Sequence, residues 1–221
     1  KGFITINGGH RIGLGGQAIY SGNSIENIKN ISSLNMRIAR EKKGISNKLF
    51  IYLLENGNFQ NTLIISPPQG GKTTLLRDLV RNLSNGYGNG RAYKIGLIDE
   101  RSEIASIYRG MAQNDIGIRT DVLDGCLKED GIMMFIRSMS PEIIAVDEIG
   151  GKEDIEAIEA GLRAGIMFLA TIHGHDFNDI RARKNLDNMI RSRVFKRYLV
   201  LDNSRGVGTV KEIIHGDTLK N

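Results

Sequence analysis

The chain has 221 residues, no tryptophan, a single cysteine and a formal net charge of +5, a length that supports one substantial core with a small appendage. The lone Cys126 excludes an intrachain disulfide and fits a reducing compartment. A charge of +5 is too modest to argue by itself for nucleic acid, and no segment has enough uncharged apolar length to span a bilayer as a helix. The residues of this chain show no signal-peptide pattern, and none is expected within them. The chain opens on Lys1 within a β-rich stretch, as expected of a piece of a longer protein.

Residues 1–39 read as a β-meander. Phe3, Ile4 and Ile6 lead to a turn at Gly8-Gly9-His10. Ile12 and Leu14 follow, then Gly15-Gly16, Ala18-Ile19-Tyr20 and a turn at Ser21-Gly22-Asn23, and Leu34, Met36 and Ile38 alternate. With the basic linker around Arg40, Lys42 and Lys43, residues 1–43 are expected to be the end of an N-terminal domain, and residues 44–221 a second domain. Residues 45–56 predict a helix with Leu49, Phe50, Leu53 and Leu54 inward and Gly57 as its stop.

The apolar run Thr62-Leu63-Ile64-Ile65 then enters Ser66-Pro67-Pro68-Gln69-Gly70-Gly71-Lys72-Thr73-Thr74, and Leu75, Leu76, Leu79, Val80 and Leu83 follow at helical spacing. Strand, glycine-containing turn and helix are the context a phosphate-binding P-loop needs. Gly70 and Gly71 let backbone N–H groups close around phosphate oxygens. The helix N-terminus favours the same anion, Lys72 reaches the terminal phosphates, and the Thr73 hydroxyl suits Mg²⁺. Ser66 stands where the full P-loop pattern has glycine.

Lys94-Ile95-Gly96-Leu97-Ile98 reads as a strand ending in Asp99-Glu100-Arg101-Ser102-Glu103, and charges gathered at a carboxyl strand end are candidates for ligand contact. Residues 108–127 are expected to hold few regular elements, and 129–139 a helix. Ile143-Ile144-Ala145-Val146 before Asp147-Glu148 is the second half of a nucleotide hydrolase site: a buried strand delivers Asp147 to Mg²⁺, and Glu148 is placed to deprotonate water. After a helix over 152–164, the strand 165–170 is expected to insert between the P-loop strand and the Asp-Glu strand, bringing Thr171 or His173 near the γ-phosphate. A polar helix over 176–192 carries Arg181, Arg183, Lys184 and Arg191, and 194–201 with 209–214 read as a hairpin turning at Asn203-Ser204-Arg205-Gly206. These elements make an α/β chain: a P-loop core, a small β-rich N-terminal segment and a C-terminal β-hairpin.

Several stretches resemble the stage III sporulation protein AA family of endospore-forming bacteria: Gly2-Phe3-Ile4-Thr5-Ile6 with Gly9-His10-Arg11, Ile38-Ala39-Arg40-Glu41, Ser66 through Leu76, Asp99 through Ala105, and Asp121 through Cys126. To these add Ile136 through Pro141, Val146 through Gly150, and Lys196-Arg197-Tyr198 with Gly208-Thr209-Val210. The resemblance covers nearly the whole chain and lacks the family's N-terminal portion. Ser66 belongs to that family's pattern. Gly70 departs from the Cys expected there and, being smaller, is expected to leave phosphate binding intact.

That family is similar to the motor ATPases of type II and type IV secretion systems. The resemblance implies a RecA-like, AAA+-type core, assembly into a hexameric ring with ATP held between subunits, an acidic box at Asp99, Glu100 and Glu103, and a histidine box at Thr171-Ile172-His173-Gly174. It further implies action in the channel joining mother cell and forespore, cytoplasmic on the mother-cell side, peripheral to the membrane, with integral membrane partners. The expected chemistry is ATP hydrolysis: Lys72 and the loop amides on the β- and γ-phosphates, Mg²⁺ held by Thr73 and Asp147, Glu148 activating water, and Glu100 or Glu103 assisting. An arginine from a neighbouring subunit is expected to complete the site, with Arg101, Arg109 and Arg119 left as alternatives. Two other readings share the core: a nucleic-acid-dependent ATPase using the basic residues between Arg181 and Arg197 as its track, and a nucleotide-gated scaffold without hydrolysis, against which Lys72, Asp147 and Glu148 all count.

Overall fold

The structure is a computed structural model that describes residues 3–204, 206 and 208–219. The chain divides into two compact units. One comprises residues 1–41 and 105–115, the other residues 42–104 and 116–221.

In the first unit, β1 (Phe3–Thr5), β2 (Arg11–Ser21) and β3 (Ser24–Arg37) form an antiparallel sheet in that order. Gly15-Gly16 does not interrupt the strand; Gly15 pairs with Ser33 and Gln17 with Lys29, so Gly16 alone faces residues 30–32 and the two extra residues bulge from β3, where Asn30 has φ 48°. Alternation puts Ile4, Ile12 and Met36 in cross-strand line, with Leu14 opposite Leu34. The excursion 105–115 belongs with these strands: Gly8 N–H donates to Gln113 Oε1 (2.9 Å), and Asp115 N–H to Glu41 Oε1 (2.7 Å). Gly2, the first residue of the family-like N-terminal stretch, lies outside the described residues.

The second unit begins with a short 3-10 turn, Asn47–Leu49, and α1 (Phe50–Leu53). The helix expected to reach residue 56 stops here, because Asn56 (φ 51°) and Gly57 (φ 78°) supply the two positive-φ positions of a tight hairpin between β4 (Leu54–Glu55) and β5 (Asn58–Phe59). Then come β6 (Thr62–Ser66), α2 (Lys72–Asn85), β7 (Ile95–Asp99), β8 (Thr120–Asp124), α3 (Lys128–Ser138), β9 (Ile143–Val146), α4 (Lys152–Arg163) and β10 (Met167–His173). The chain continues with α5 (Phe177–Arg181), α6 (Lys184–Arg191), β11 (Arg197–Asp202) and β12 (Thr209–His215).

Seven strands make one sheet in the order β12-β11-β6-β10-β9-β7-β8. All adjacent pairs are parallel except β11 with β12. Strands β6, β7 and β9 are buried along their whole length, which explains their continuous apolar runs: helices cover both faces. Strand β10 lies between β6 and β9, as its sequence position predicts.

Two further elements differ from the sequence reading. Residues 120–124, expected to be irregular, form the edge strand β8, whose polar, half-buried pattern hides it from periodicity. The polar helix breaks into α5 and α6 at Arg183 (ψ 114°). One straight helix would turn Ile180 and Leu186 to different faces, since a six-residue offset is about 240° of rotation; the break lets both be buried. The expected C-terminal hairpin forms, β11 with β12 antiparallel, and β11 also pairs in parallel with β6 and extends the central sheet. Arg205 of its predicted turn lies outside the described residues.

Candidate functional site

Strand β6 drives Ser66 to the carboxyl edge of the sheet, and the chain turns there before α2 begins. Gly70 N–H closes the turn on Pro67 O (3.1 Å), with Pro68 exposed and Gln69 at φ 59°. Gly71 precedes the helix at φ 90°, a conformation that costs glycine nothing. Ser66 Oγ donates to Pro67 O at 3.0 Å, and a Cβ on Gly70 would stand 2.2 Å from that hydroxyl. The glycine at position 70 therefore suits this arrangement of Ser66. Lys72, Thr73 and Thr74 form the first turn of the fourteen-residue α2, half buried, where backbone N–H groups have no intrahelical partner.

Strand β9 brings Asp147 and Glu148 to the same edge. Glu148 has φ 45°, a left-handed conformation that is uncommon for a non-glycine residue and turns the chain sharply after Asp147. Thr171 of β10 fastens both acids. Its hydroxyl donates to Asp147 Oδ1 (2.8 Å) and accepts from Glu148 N–H (2.8 Å), while its carbonyl accepts from Ile149 N–H (2.8 Å). The Lys72 ammonium donates to the Glu148 carboxylate, and Arg101 Nη1 lies 3.8 Å from the same oxygen. The hydrogen bond from Lys72 holds the Glu148 carboxyl below the usual carboxylate range, with Lys72, Arg101 and His173 charges adding to it. Asp147 is the opposite case: burial pushes its carboxyl up, partly offset by the Thr171 hydroxyl and Lys72, and reinforced by Glu103 and Glu148. Two adjacent acids thus titrate in opposite directions.

The acidic stretch after β7 divides its labour. Asp99 builds the loop, accepting Glu103 N–H (2.8 Å) and Ile104 N–H (3.0 Å). Glu100 pairs with Lys128 of α3. Arg77 of α2 ties this loop to the P-loop helix by donating to Glu103 O (2.6 Å) and Ile104 O (2.7 Å). His173 ends β10 in register with Ser66, and Gly174 N–H donates to Ser66 O (3.1 Å), so the histidine stretch borders the P-loop.

The structure therefore brings Lys72, Asp147, Glu148, Thr171, His173, Glu103 and Arg101 to one edge of the sheet. Arg119 is elsewhere: it precedes β8 at the amino end of the parallel strands, the edge opposite the P-loop. Arg109 belongs to the other compact unit. Sequence reasoning missed Arg77, Lys128 and Gly208, whose N–H donates to Gly70 O (2.9 Å) from the β11–β12 loop. Each depends on a tertiary neighbour that no local pattern encodes.

The oxygen donors fit Mg²⁺. Mg²⁺ is a hard cation that takes one or two protein oxygens and completes its shell with water and phosphate. Thr73 and Asp147 would be those oxygens. Among the described residues no helix is long and apolar enough to cross a membrane.

Residues 1–219 match the family model described as sporulation stage III, protein AA. The chain is 48% identical over 217 residues to stage III sporulation protein AA of Bacillus subtilis (strain 168), covering 98% of this chain and 70% of that protein. Among solved structures it is similar to the Legionella pneumophila ATPase DotB, with a TM-score of 0.55 at 16% identity, over 86% of this chain and 52% of that one. It is also similar to the VirB11 ATPase of the Brucella suis type IV secretion system, with a TM-score of 0.52 at 13% identity, over 78% of this chain and 53% of that one. At these identities the likeness establishes the fold, that of P-loop secretion ATPases, and the chain spans about half of each of these structures. The family match along the chain and the 48% identity together establish that the chain belongs to the stage III sporulation protein AA family.

Proposed function

We propose that this chain is a Mg²⁺-dependent P-loop ATPase that works as a ring of copies, drives or assembles a secretion-type transport apparatus, and acts on the mother-cell side of the channel to the forespore with integral membrane partners. The observation that carries the ATPase reading is the meeting of Lys72 and Glu148 at the carboxyl edge of the sheet, with Asp147 buried behind them. The ring, the location and the partners rest on the family membership and on the fold shared with secretion ATPases.

The chemistry follows from the charges. With Lys72 bonded to it, Glu148 is a weak base. Phosphate oxygens entering over Gly70, Gly71 and the first turn of α2 compete for the Lys72 ammonium. As Lys72 turns to phosphate, the Glu148 carboxylate regains basicity and takes a proton from the attacking water. Thr171 acts through the acids as a positioning residue, fixing the Asp147 carboxylate and the Glu148 backbone with one hydroxyl. Glu103 assists from the acidic loop, and Glu100 is committed to Lys128. Bound Mg²⁺, held by Thr73 and Asp147, would neutralise phosphate charge. An arginine from a neighbouring copy adds about 10³–10⁵-fold where such fingers operate; Arg119, remote from its own site, is available only to another copy, whereas Arg101 already faces its own Glu148.

The test is steady-state ATP hydrolysis against protein concentration, with particle size measured at each point. Activity per chain that rises as larger particles form supports an assembling ATPase. Activity per chain that is constant across monomer and assembly contradicts the ring, and nucleotide binding without hydrolysis in every assembled state contradicts the enzyme.

A further inference from the structure

Helices α5 and α6 and the chain that follows them enclose a cavity of about 320 Å³ that the ATPase chemistry does not use. Its floor is apolar: Phe177, Ile190 and Leu219. Among the described residues its rim carries three guanidiniums, Arg181, Arg191 and Arg193, against one carboxylate, Asp187. Arg191 is 75% exposed and bonds Asp187 through Nε (2.8 Å); Arg193 uses one Nη on Leu219 O (3.3 Å). A guanidinium has five N–H donors in a fixed fork, so both keep donors directed at solvent. The occupant that matches an apolar floor inside a cationic rim has apolar side chains flanked by carboxylates. A nucleic-acid strand fits poorly, since Phe177, the one ring lining the cavity among the described residues, is only 7% exposed and offers bases no stacking platform.

The same two helices hold the catalytic loops. Asn185 of α6 donates to Gly150 O (2.7 Å), two residues beyond Glu148. Asp179 of α5 accepts from His175 N–H (3.1 Å), two residues beyond His173, and from Arg183 (3.1 Å). A molecule seated between α5 and α6 therefore bears on elements that touch both loops.

We propose that the α5–α6 cavity is a docking site for an acidic, amphipathic peptide segment of a partner protein, and that α6 transmits its occupancy to the Glu148 loop through Asn185. The docking stands independently of the ATPase reading; its transmission to the Glu148 loop rests on that reading.

The probe is a fluorescein-labelled synthetic peptide of glutamates with leucine at every third or fourth position, followed by anisotropy on the full chain. Binding is expected to weaken with salt. The triple variant Arg181→Glu, Arg191→Glu, Arg193→Glu should lose about tenfold or more in affinity, as charge reversal at a complementary contact does, with its melting temperature confirming that it folds. A peptide with serine for leucine should also bind about tenfold less tightly, since the apolar floor supplies the remainder. Equal binding by the triple variant, or equal binding of the serine peptide, overturns the site. Competition by single-stranded DNA or by phosphatidylglycerol vesicles that beats the peptide and is lost in the triple variant assigns the surface to those ligands instead. Asn185→Ala should leave peptide affinity unchanged while removing the peptide's effect on ATP turnover; an undiminished effect overturns the transmission. Should the chain prove to lack hydrolysis, anisotropy alone still decides the docking.

Discussion

Strands β7 and β9 lie side by side in register, with Ile98 opposite Val146, and each ends in Asp-Glu. The four acids nonetheless do different work. Asp99, 1% exposed, spends its carboxylate on two backbone N–H groups of its own loop, and Glu100 pairs with Lys128. Asp147, 8% exposed, has its burial only partly offset, by the Thr171 hydroxyl and the Lys72 charge, and Glu148 turns through a left-handed backbone onto Lys72. One strand end spends its acids on its own loop and on a structural ion pair to α3; the other is held poised by groups from α2 and β10. The difference teaches that an acidic pair at a strand end signals chemistry when its charge is left uncompensated by its own loop, and structure when it is not.

The comparison can be broken or sharpened by four substitutions. Lys72→Ala has the largest expected effect: nucleotide affinity and hydrolysis fall by orders of magnitude. It also releases the Glu148 carboxyl toward its ordinary value. Because the Lys72 pair depresses that carboxyl, its contribution to stability is present above the ordinary carboxylate range and is lost as pH falls through the depressed value. Melting temperature against pH should show that acid-side loss in the wild type and less of it in the variant. Thr171→Val comes next. Removing a hydrogen bond to a buried charge costs about 1.5–3 kcal/mol, so kcat should fall roughly 10–100-fold with the KM for ATP little changed, and Thr171→Ser should restore it. An unchanged kcat sinks the positioning role.

Asp99→Ala tests the structural acid. Two backbone N–H groups lose their partner, at about 1–3 kcal/mol each when buried, and thermal unfolding should drop by roughly 2–4 °C per kcal/mol, with kcat per folded molecule less affected than in Thr171→Val. Asp147→Asn has the smallest expected effect on stability, and of opposite sign. Burial raises the Asp147 carboxyl, so this group favours the fold most below the ordinary carboxylate range and progressively less as pH rises through the raised value. The amide removes that cost while still accepting from Thr171, so stability should rise by on the order of 1 kcal/mol, with hydrolysis lost. A melting temperature that falls instead contradicts a net cost of burying the Asp147 carboxylate.

Much of this was legible in the residues. The continuous apolar runs of β6 and β9, the glycines before Lys72, and the placement of β10 between the two strands all follow from pattern and fold class. So did the candidate acids, lysine and histidine at one sheet edge. The bond from Thr171 to both acids was not legible, because it depends on the side chains of two neighbouring strands meeting tip to tip. The pairing of Glu100 with Lys128 and the grip of Arg77 on the acidic loop join residues separated in sequence. Gly57 was legible as a helix stop, but with Asn56, expected inside the helix, it turns a hairpin, since positive φ serves both.

The most direct measurement is γ-phosphate release from saturating Mg-ATP by two variants side by side, Glu148→Gln and Glu100→Gln, in the assembled protein. The account predicts that Glu148→Gln loses about 10²–10⁴-fold, the usual contribution of a general base, while still binding ATP, and that Glu100→Gln stays within a few-fold of wild type. Equal losses in the two variants, or a Glu148→Gln variant that still turns over ATP, would contradict the division of labour between the two strand ends.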